Sequence, residues 1–176
     1  MVSDLKSDTN GDQLRSLLGR FPSGVAVVTV DVGGQRVGLT IATLVGLSLE
    51  PPLVGFSVAG QAALHELLRE AGRCAVSLLA DGQGSLAEHF ARGVPPIGMW
   101  EGIATEPSPG SPLLSGALGW IECALRDEVP TGTHTLFVCA VELGDGFCDR
   151  YRVDRNGLQF RASVLERHGG CVLPVG

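Results

Sequence analysis

Positive charge is scarce in this sequence. Thirteen Lys and Arg residues stand against 19 Asp and Glu, a net charge of −6, and no Lys/Arg stripe offsets the balance. That leaves no electrostatic footprint for a phosphate backbone and excludes nucleic-acid binding by that route. Long apolar runs are missing too. No window reaches the roughly 18 uninterrupted apolar residues that a membrane-spanning helix needs. The opening MVSDLKSDTNGDQ is polar and lacks the apolar centre of a signal segment, so residues 1–12 read as a loose leader. Paired cysteine motifs are absent. The five cysteines (Cys74, Cys123, Cys139, Cys148 and Cys171) are odd in number and contain no CxxC, which gives neither metal-site spacing nor an obvious disulfide set. Cys74, Cys123 and Cys139 lie in apolar, strand-like runs and are expected to be buried free thiols, with a cytoplasmic location as the default. GxSxG, HExxH and P-loop motifs do not occur, and no GxGxxG follows a strand. A dinucleotide is therefore not held in the Rossmann manner. Internal repeats and low-complexity linkers are also lacking.

The chain that remains has 176 residues, 44% hydrophobic and 18% charged, enough for one domain with a core. Its 25 glycines are twice the usual share of about 7% and point to many tight turns. Leu14, Leu17, Leu18 and Phe21 have helical spacing over 12–21, with a possible cap at Asp12 and a stop at Pro22. Residues 24–32, GVAVVTVDV, are rich in β-branched residues and read as a strand. Gly33-Gly34 suits a hairpin turn, and 35–43 returns as the second strand. Residues 52–58 read as the third. Helices are expected over 61–71, closed by Gly72, and over 83–92. Between them 74–79 is a short buried strand. Residues 93–112 form a proline-rich loop. Long strands follow at 116–129 and within 131–146, then a short hairpin over 151–161 around Asn156-Gly157. The tail from Ser163 has no period. Hairpins dominate and βαβ alternation is absent. The expected class is mainly β: an antiparallel sheet closed or nearly closed into a barrel, with two or three short helices at its edges.

Catalytic side chains are sparse. His65 beside Glu66 and His89 beside Glu88 read as solvated helix residues, and His168 as idle in the tail. His134 differs, because it follows Thr131-Gly132-Thr133 and begins a strand, at a rim where barrels place sites. The stretch GLTIATLVGLSLEPPL (38–53) carries the hydroxyls of Thr40, Thr43 and Ser48 in an apolar strand. Threonine is a good strand residue whose hydroxyl often bonds only backbone. The exit Glu50-Pro51-Pro52 is more particular, since proline donates no ladder bond and pairing is expected to break there. Backbone groups before the break are then available to a flat polar heterocycle.

Six stretches carry a resemblance: FPSGVAVVT (21–29), GLTIATLVGLSLEPPLV (38–54), GRCAVSLL (72–79), LAEHFA (86–91), SPLLSGALGWIEC (111–123) and GTHTLFVCAVE (132–142). In this order and spacing they resemble the flavin reductase-like proteins with the FMN-binding split barrel, typified by the reductase partners of two-component flavin monooxygenases. The similarity covers roughly 14–161, which places the domain at 13–162 and a tail at 163–176. It implies a homodimer with a flavin (FMN or FAD) at each subunit interface. It also implies hydride supply from NADH or NADPH, and delivery of reduced flavin to a partner oxygenase or to a bound substrate. Thr40, Ile41, Ala42 and Thr43 would line the ribityl and phosphate side. Leu47, Ser48 and Leu49 would pass their backbone along the isoalloxazine edge, released from the sheet by the prolines. Phe90 would help enclose the flavin, and His134 would lie near the nicotinamide.

This sequence departs from the family pattern in several places. Thr-x-Ser-Ser is here Thr40-Ile41-Ala42-Thr43, and Gly46 stands where a serine is common. The phosphate clamp Ser-Arg-Thr is Ala62-Ala63-Leu64. The Gly-Asp before the histidine is Gly132-Thr133, and an asparagine of the 74–79 strand is Ser77. Arg20, Arg69, Arg73 and Arg92 are the candidates to replace the clamp. Three readings follow: an NAD(P)H-dependent flavin reductase, a divergent split-barrel protein repurposed for a specialised biosynthetic step, or a non-catalytic module that stores or senses flavin or haem. In the last, His65 and His89 would be the axial candidates.

Overall fold

The computed structural model describes residues 11–91 and 98–142. The expected hairpin at 151–161, the tail, His168, Arg92, Cys148 and Cys171 lie outside the described residues.

Helix α1 (Gly11–Leu18) is followed by β1 (Ala26–Val32) and β2 (Gln35–Ile41). The turn between these strands is Gly33-Gly34, with φ of 58° and 89°, values that a β-carbon would oppose. Asp31 fixes the turn by accepting the Gly34 N–H at 2.9 Å and the Arg36 Nε at 3.1 Å. β3 (Val45–Leu49) and β4 (Pro52–Ala59) come next, then α2 (Ala63–Ala71), which ends on Gly72 in the left-handed region. β5 (Arg73–Leu78), α3 (Gly84–Ala91) and a two-strand clip of β6 (Thr105–Glu106) and β7 (Leu113–Leu114) precede the long β8 (Gly119–Thr131) and β9 (His134–Val141).

Seven strands make one antiparallel sheet in the order β2-β1-β5-β8-β9-β4-β3. Its terminal strands, β2 and β3, are consecutive in the chain, joined only by residues 42–44. Such a link spans at most about 14 Å, so the sheet curls and brings the end of β2 near the start of β3. Inside the curl lie Val28, Val30, Phe56, Val58, Val76, Cys123, Phe137 and Cys139, none more than 1% exposed. Alternate residues of each strand supply this core, as the strand period requires. α2 contributes Leu64 and Leu68, and α3 contributes Phe90.

Two expectations are corrected here. First, 38–53 is not one strand halted by prolines. It is two strands, and pairing continues across the turn: Ser48 faces Leu53 and Leu49 faces Pro52. The prolines shape a hairpin, Pro52 taking the first position of its strand, where a missing N–H is tolerated. The free backbone is instead the outer edge of β3, the last strand of the sheet. Second, the helix histidines are not solvated. His65 is 5% exposed, and His89 is half-buried with Nε2 bound at 2.7 Å to the Met99 carbonyl.

The three described cysteines are buried and free, as expected. Cys74 faces Cys123 across β5 and β8, and hydrogen bonding with Cys123 and Cys139, together with burial, pushes the Cys74 thiol well above the usual range. In a Cys148→Ser/Cys171→Ser variant, a thiol reagent at pH 8 is expected to find no reactive group until denaturant is added, then three. A raised folded-state pKa stabilises fully below the unfolded thiol value. That contribution is lost as pH climbs past about 8.5, so the urea midpoint should fall there.

Candidate functional site

β4 is where the sequence-predicted residues converge. Its even positions Val54, Phe56 and Val58 point into the core, so Leu53, Gly55, Ser57 and Ala59 form the opposite face. Three of these four are small. Gly55 is covered by Leu47: a β-carbon there would lie 2.9 Å from Leu47 Cδ1. Leu47 reaches this position because the register slips between Gly46 and Ser48, a bulge that re-aims one side chain. Two residues before Val45, which pairs with Gly55, Thr43 stands opposite Ser57. Here the ladder is carried by a side chain: Thr43 Oγ1 accepts the Ser57 N–H at 3.0 Å and lies 3.4 Å from the Ser57 carbonyl. On the other side of β4, Ala59 pairs with His134. Leu47, Thr43 and His134 therefore follow one strip, opposite Gly55, Ser57 and Ala59 in turn. The strip is about 14 Å long.

Ala42, Thr43, Leu47 and Leu49 are exposed, the two leucines by 44% and 56%. Ser48 is half-buried, and its Oγ accepts the Glu50 N–H at 3.2 Å. His134 is exposed at the start of β9, with Nδ1 3.0 Å from Thr133 Oγ1 and its carbonyl bound by Thr131 Oγ1 at 3.1 Å. The remaining predicted residues lie away from this face, on β2 and α3. Thr40 donates to the Ala87 carbonyl of α3 at 2.7 Å. Ile41 is 5% exposed and Phe90 1%. Phe90 packs edge-on to His89 and against Trp100, and it presses on β2 so closely that a β-carbon at Gly38 would lie 2.6 Å from its ring.

The positions that replace the phosphate clamp lead α2. Ala62 caps that helix without any side-chain hydrogen bond. Two of the arginines weighed as substitutes are engaged elsewhere. Arg69 meets Glu128 at 2.7 Å and Glu66 at 3.1 Å, and Arg73 meets Glu142. Arg20 follows α1 on an exposed segment. Ser77, in the place of the asparagine, accepts the Leu114 N–H at 3.1 Å and ties β7 to the sheet. Among the described residues no group of three His, Cys, Asp or Glu side chains is arranged to hold a metal.

Sequence reasoning overlooked Gly55, Ser57 and Ala59, whose alternation of small residues within PLVGFSVA was the available signal. It also overlooked a buried contact between His65 and Thr135. The strip offers a flat, small-residue surface, a sheet edge with backbone groups, apolar cover from leucines and one imidazole at its end. That combination suits a planar heterocycle with donors and acceptors along one side. It does not by itself supply a nucleophile or an acid–base pair.

Comparison with known proteins gives a consistent result. Residues 18–148 match the family described as flavin reductase like domain. The reductase component of 4-hydroxyphenylacetate 3-monooxygenase from Thermus thermophilus is 40% identical over 131 residues, covering 74% of this chain and 82% of that protein. An NADH:FMN oxidoreductase from Rhodococcus qingshengii is 36% identical over 160 residues, 91% of this chain and 80% of its own length. Among solved structures, the NADH:FAD oxidoreductase SgcE6 of Streptomyces globisporus C-1027 superposes with a TM-score of 0.73 at 34% identity, over 80% of this chain and 86% of that one.

Proposed function

The chain belongs to the flavin reductase-like domain family, and from that premise we propose that it is an NADH- or NADPH-dependent flavin reductase that supplies reduced FMN or FAD to a partner monooxygenase. The observation that carries this reading is the strip on β4: a small-residue face beside the free edge of β3, overhung by exposed leucines. We place the domain at 13–162 in a split-barrel architecture, between a leader and a tail. The curl of the sheet from β2 to β3 supports the barrel.

A bound flavin supplies the hydride-accepting centre, and the protein's task is position and electrostatics. Ser57 and Ala59 let a flat ring lie close to the sheet, with Leu47 closing the Gly55 end. The backbone of Leu47, Ser48 and Leu49 offers donors and acceptors along one ring edge. Ala42 and Thr43 border the ribityl side above Thr40 and Ile41, while Phe90 supports this wall from beneath. The Leu47 and Leu49 side chains exclude water from one flank. His134 borders the far end, where a nicotinamide donor must lie against the ring for a short transfer distance.

A homodimer agrees with the exposed apolar surface. α1 buries no residue, and its Leu14, Leu17 and Leu18, with Phe21 beyond it, are all more than half exposed. Val45, Leu47, Leu49 and Val129 are exposed as well. The buried free thiols fit a reducing, cytoplasmic setting, and no helix of the described residues is long and apolar enough to cross a membrane.

The test is a titration of the purified protein with FMN and FAD, followed by quenching of flavin fluorescence, with NADH and NADPH oxidation assayed in the same samples. Binding of at least one flavin with flavin-dependent nicotinamide oxidation is the expected result. Failure of both nucleotides with either flavin would overturn the reading.

A further inference from the structure

His65 is a polar residue in an apolar place. It sits in the first turn of α2, 5% exposed, between buried Leu64 and Leu68 and edge-on to Phe137 at 5.3 Å. Its Nε2 lies 2.8 Å from Thr135 Oγ1, and its Nδ1 lies 3.0 Å from Glu66 Oε1 at the protein surface. Thr135 is itself 6% exposed. Five polar residues are buried among the described residues, and two of them are spent on this one contact. A leucine facing a valine would fill the same space without the desolvation that an imidazole and a hydroxyl incur.

The contact joins two elements that meet at the strip. Thr135 is the residue after His134 on β9. α2 begins directly after β4, whose neighbour Gly60 donates its N–H to the Thr133 carbonyl at 3.0 Å. The helix start has no side-chain cap, so its first turn is fastened to β9 from the inside, by His65. The link therefore connects the place where the family's phosphate clamp would stand to the strand mouth that carries His134.

We propose that His65, acting through Thr135, is a positioning residue: it fixes the β9 mouth, and with it the imidazole of His134, relative to the first turn of α2. The proposal rests on the flavin reductase reading for its kinetic consequence, but not for its structural one. Loss of the link lets the His134 end of the strip drift, which weakens capture of the nicotinamide donor more than it slows turnover.

Four variants test this, read first by kinetics together with melting temperature and then by NMR. His65→Leu and Thr135→Val are each expected to raise the KM for NADH by about 3–10-fold, the range of one lost hydrogen bond, with kcat changed less than twofold. Each also leaves a buried polar partner unmatched and lowers the melting temperature. The double variant His65→Leu/Thr135→Val removes both partners, so it should regain the melting temperature while keeping the raised KM. His65→Gln, which retains a group to meet the hydroxyl, should restore most of the affinity. The second readout is the NMR signal of the His134 imidazole in flavin-free protein, expected to move in the double variant and to lie near its wild-type position in His65→Gln. A KM that recovers together with the melting temperature, or a His134 signal that stays fixed throughout, overturns the proposal. Should wild-type protein oxidise no nicotinamide with any flavin, the flavin reductase reading falls, and the imidazole signal still decides the role of His65.

Discussion

Phe90→Ala is expected to remove about 3–5 kcal/mol of folding stability, the range for deleting a fully buried aromatic side chain. Phe90 is 1% exposed and fills the space between α3 and β2. Several features hold that space open for a ring. Gly38 has no side chain beneath it, and its N–H meets Met99 Sδ at 3.2 Å. Trp100 packs with its ring tilted against Phe90 at 5.3 Å and anchors its own Nε1 on the Arg36 carbonyl at 2.9 Å. A cavity at this point cannot be closed by small shifts, because the segment at Met99 and Trp100 is tied to β2 and α3 by these bonds. The reverse change is informative. Gly38→Ala drives a β-carbon into the ring and should cost about 1–3 kcal/mol by overpacking. In a Phe90→Leu background the same substitution should cost at least about 1 kcal/mol less, since contacting residues couple. Urea unfolding of the four proteins measures this, and strictly additive costs would show that Gly38 and Phe90 do not share the space. If the flavin lies above Thr40 and Ile41, the folded fraction of Phe90→Ala should still bind it, though more weakly.

His134→Ala carries the largest expected effect on activity: a fall in kcat/KM for NADH of about 10–100-fold, equivalent to about 1.4–2.7 kcal/mol. The residue is exposed, so the fold loses little. Its Nδ1 is held beside Thr133, and among the described residues Nε2 makes no hydrogen bond. An imidazole fixed at one nitrogen and available at the other can meet the amide of a nicotinamide. Flavin affinity should stay within about twofold, because the leucine edge lies at the other end of the strip. Steady-state kinetics with varied NADH, beside a flavin titration, separates the two. An unchanged kcat/KM would place the nicotinamide elsewhere.

Much of the scaffold was legible in the sequence, for local reasons. Gly33-Gly34 marked a hairpin because the turn needs positive φ at both positions. Gly72 marked a helix end, and the long strands at 119–131 and 134–141 announced themselves by β-branched and apolar content. What escaped depended on tertiary partners. β3 was invisible as a separate strand because 38–49 reads as one run of small and apolar residues and the break lies in three residues, where Thr43 substitutes a hydroxyl for the ladder. His65 looked like a surface residue by type. Its position said otherwise: Leu64, His65 and Leu68 share the apolar stripe of α2, while Glu66 and Arg69 face outward. Of the expected site residues, Thr43, Leu47 and His134 lie along one face of β4, whereas Thr40 bonds α3 and Ile41 and Phe90 are buried. The face of β4 that brings the rest together carries no polar motif at all.

The thiols at the centre of the sheet take on a particular meaning for a protein that handles reduced flavin. Free reduced flavin reacts with oxygen and yields hydrogen peroxide, so such a protein works next to an oxidant of its own making. Cysteine oxidation begins at the thiolate and at accessible sulfur. Cys74, Cys123 and Cys139 are at most 3% exposed, and Cys74 is held in its protonated form by its two neighbours. Placing sulfur there gives the core a compact, polarisable filler and keeps it out of reach of the peroxide. The sheet interior should outlast many turnovers chemically unchanged.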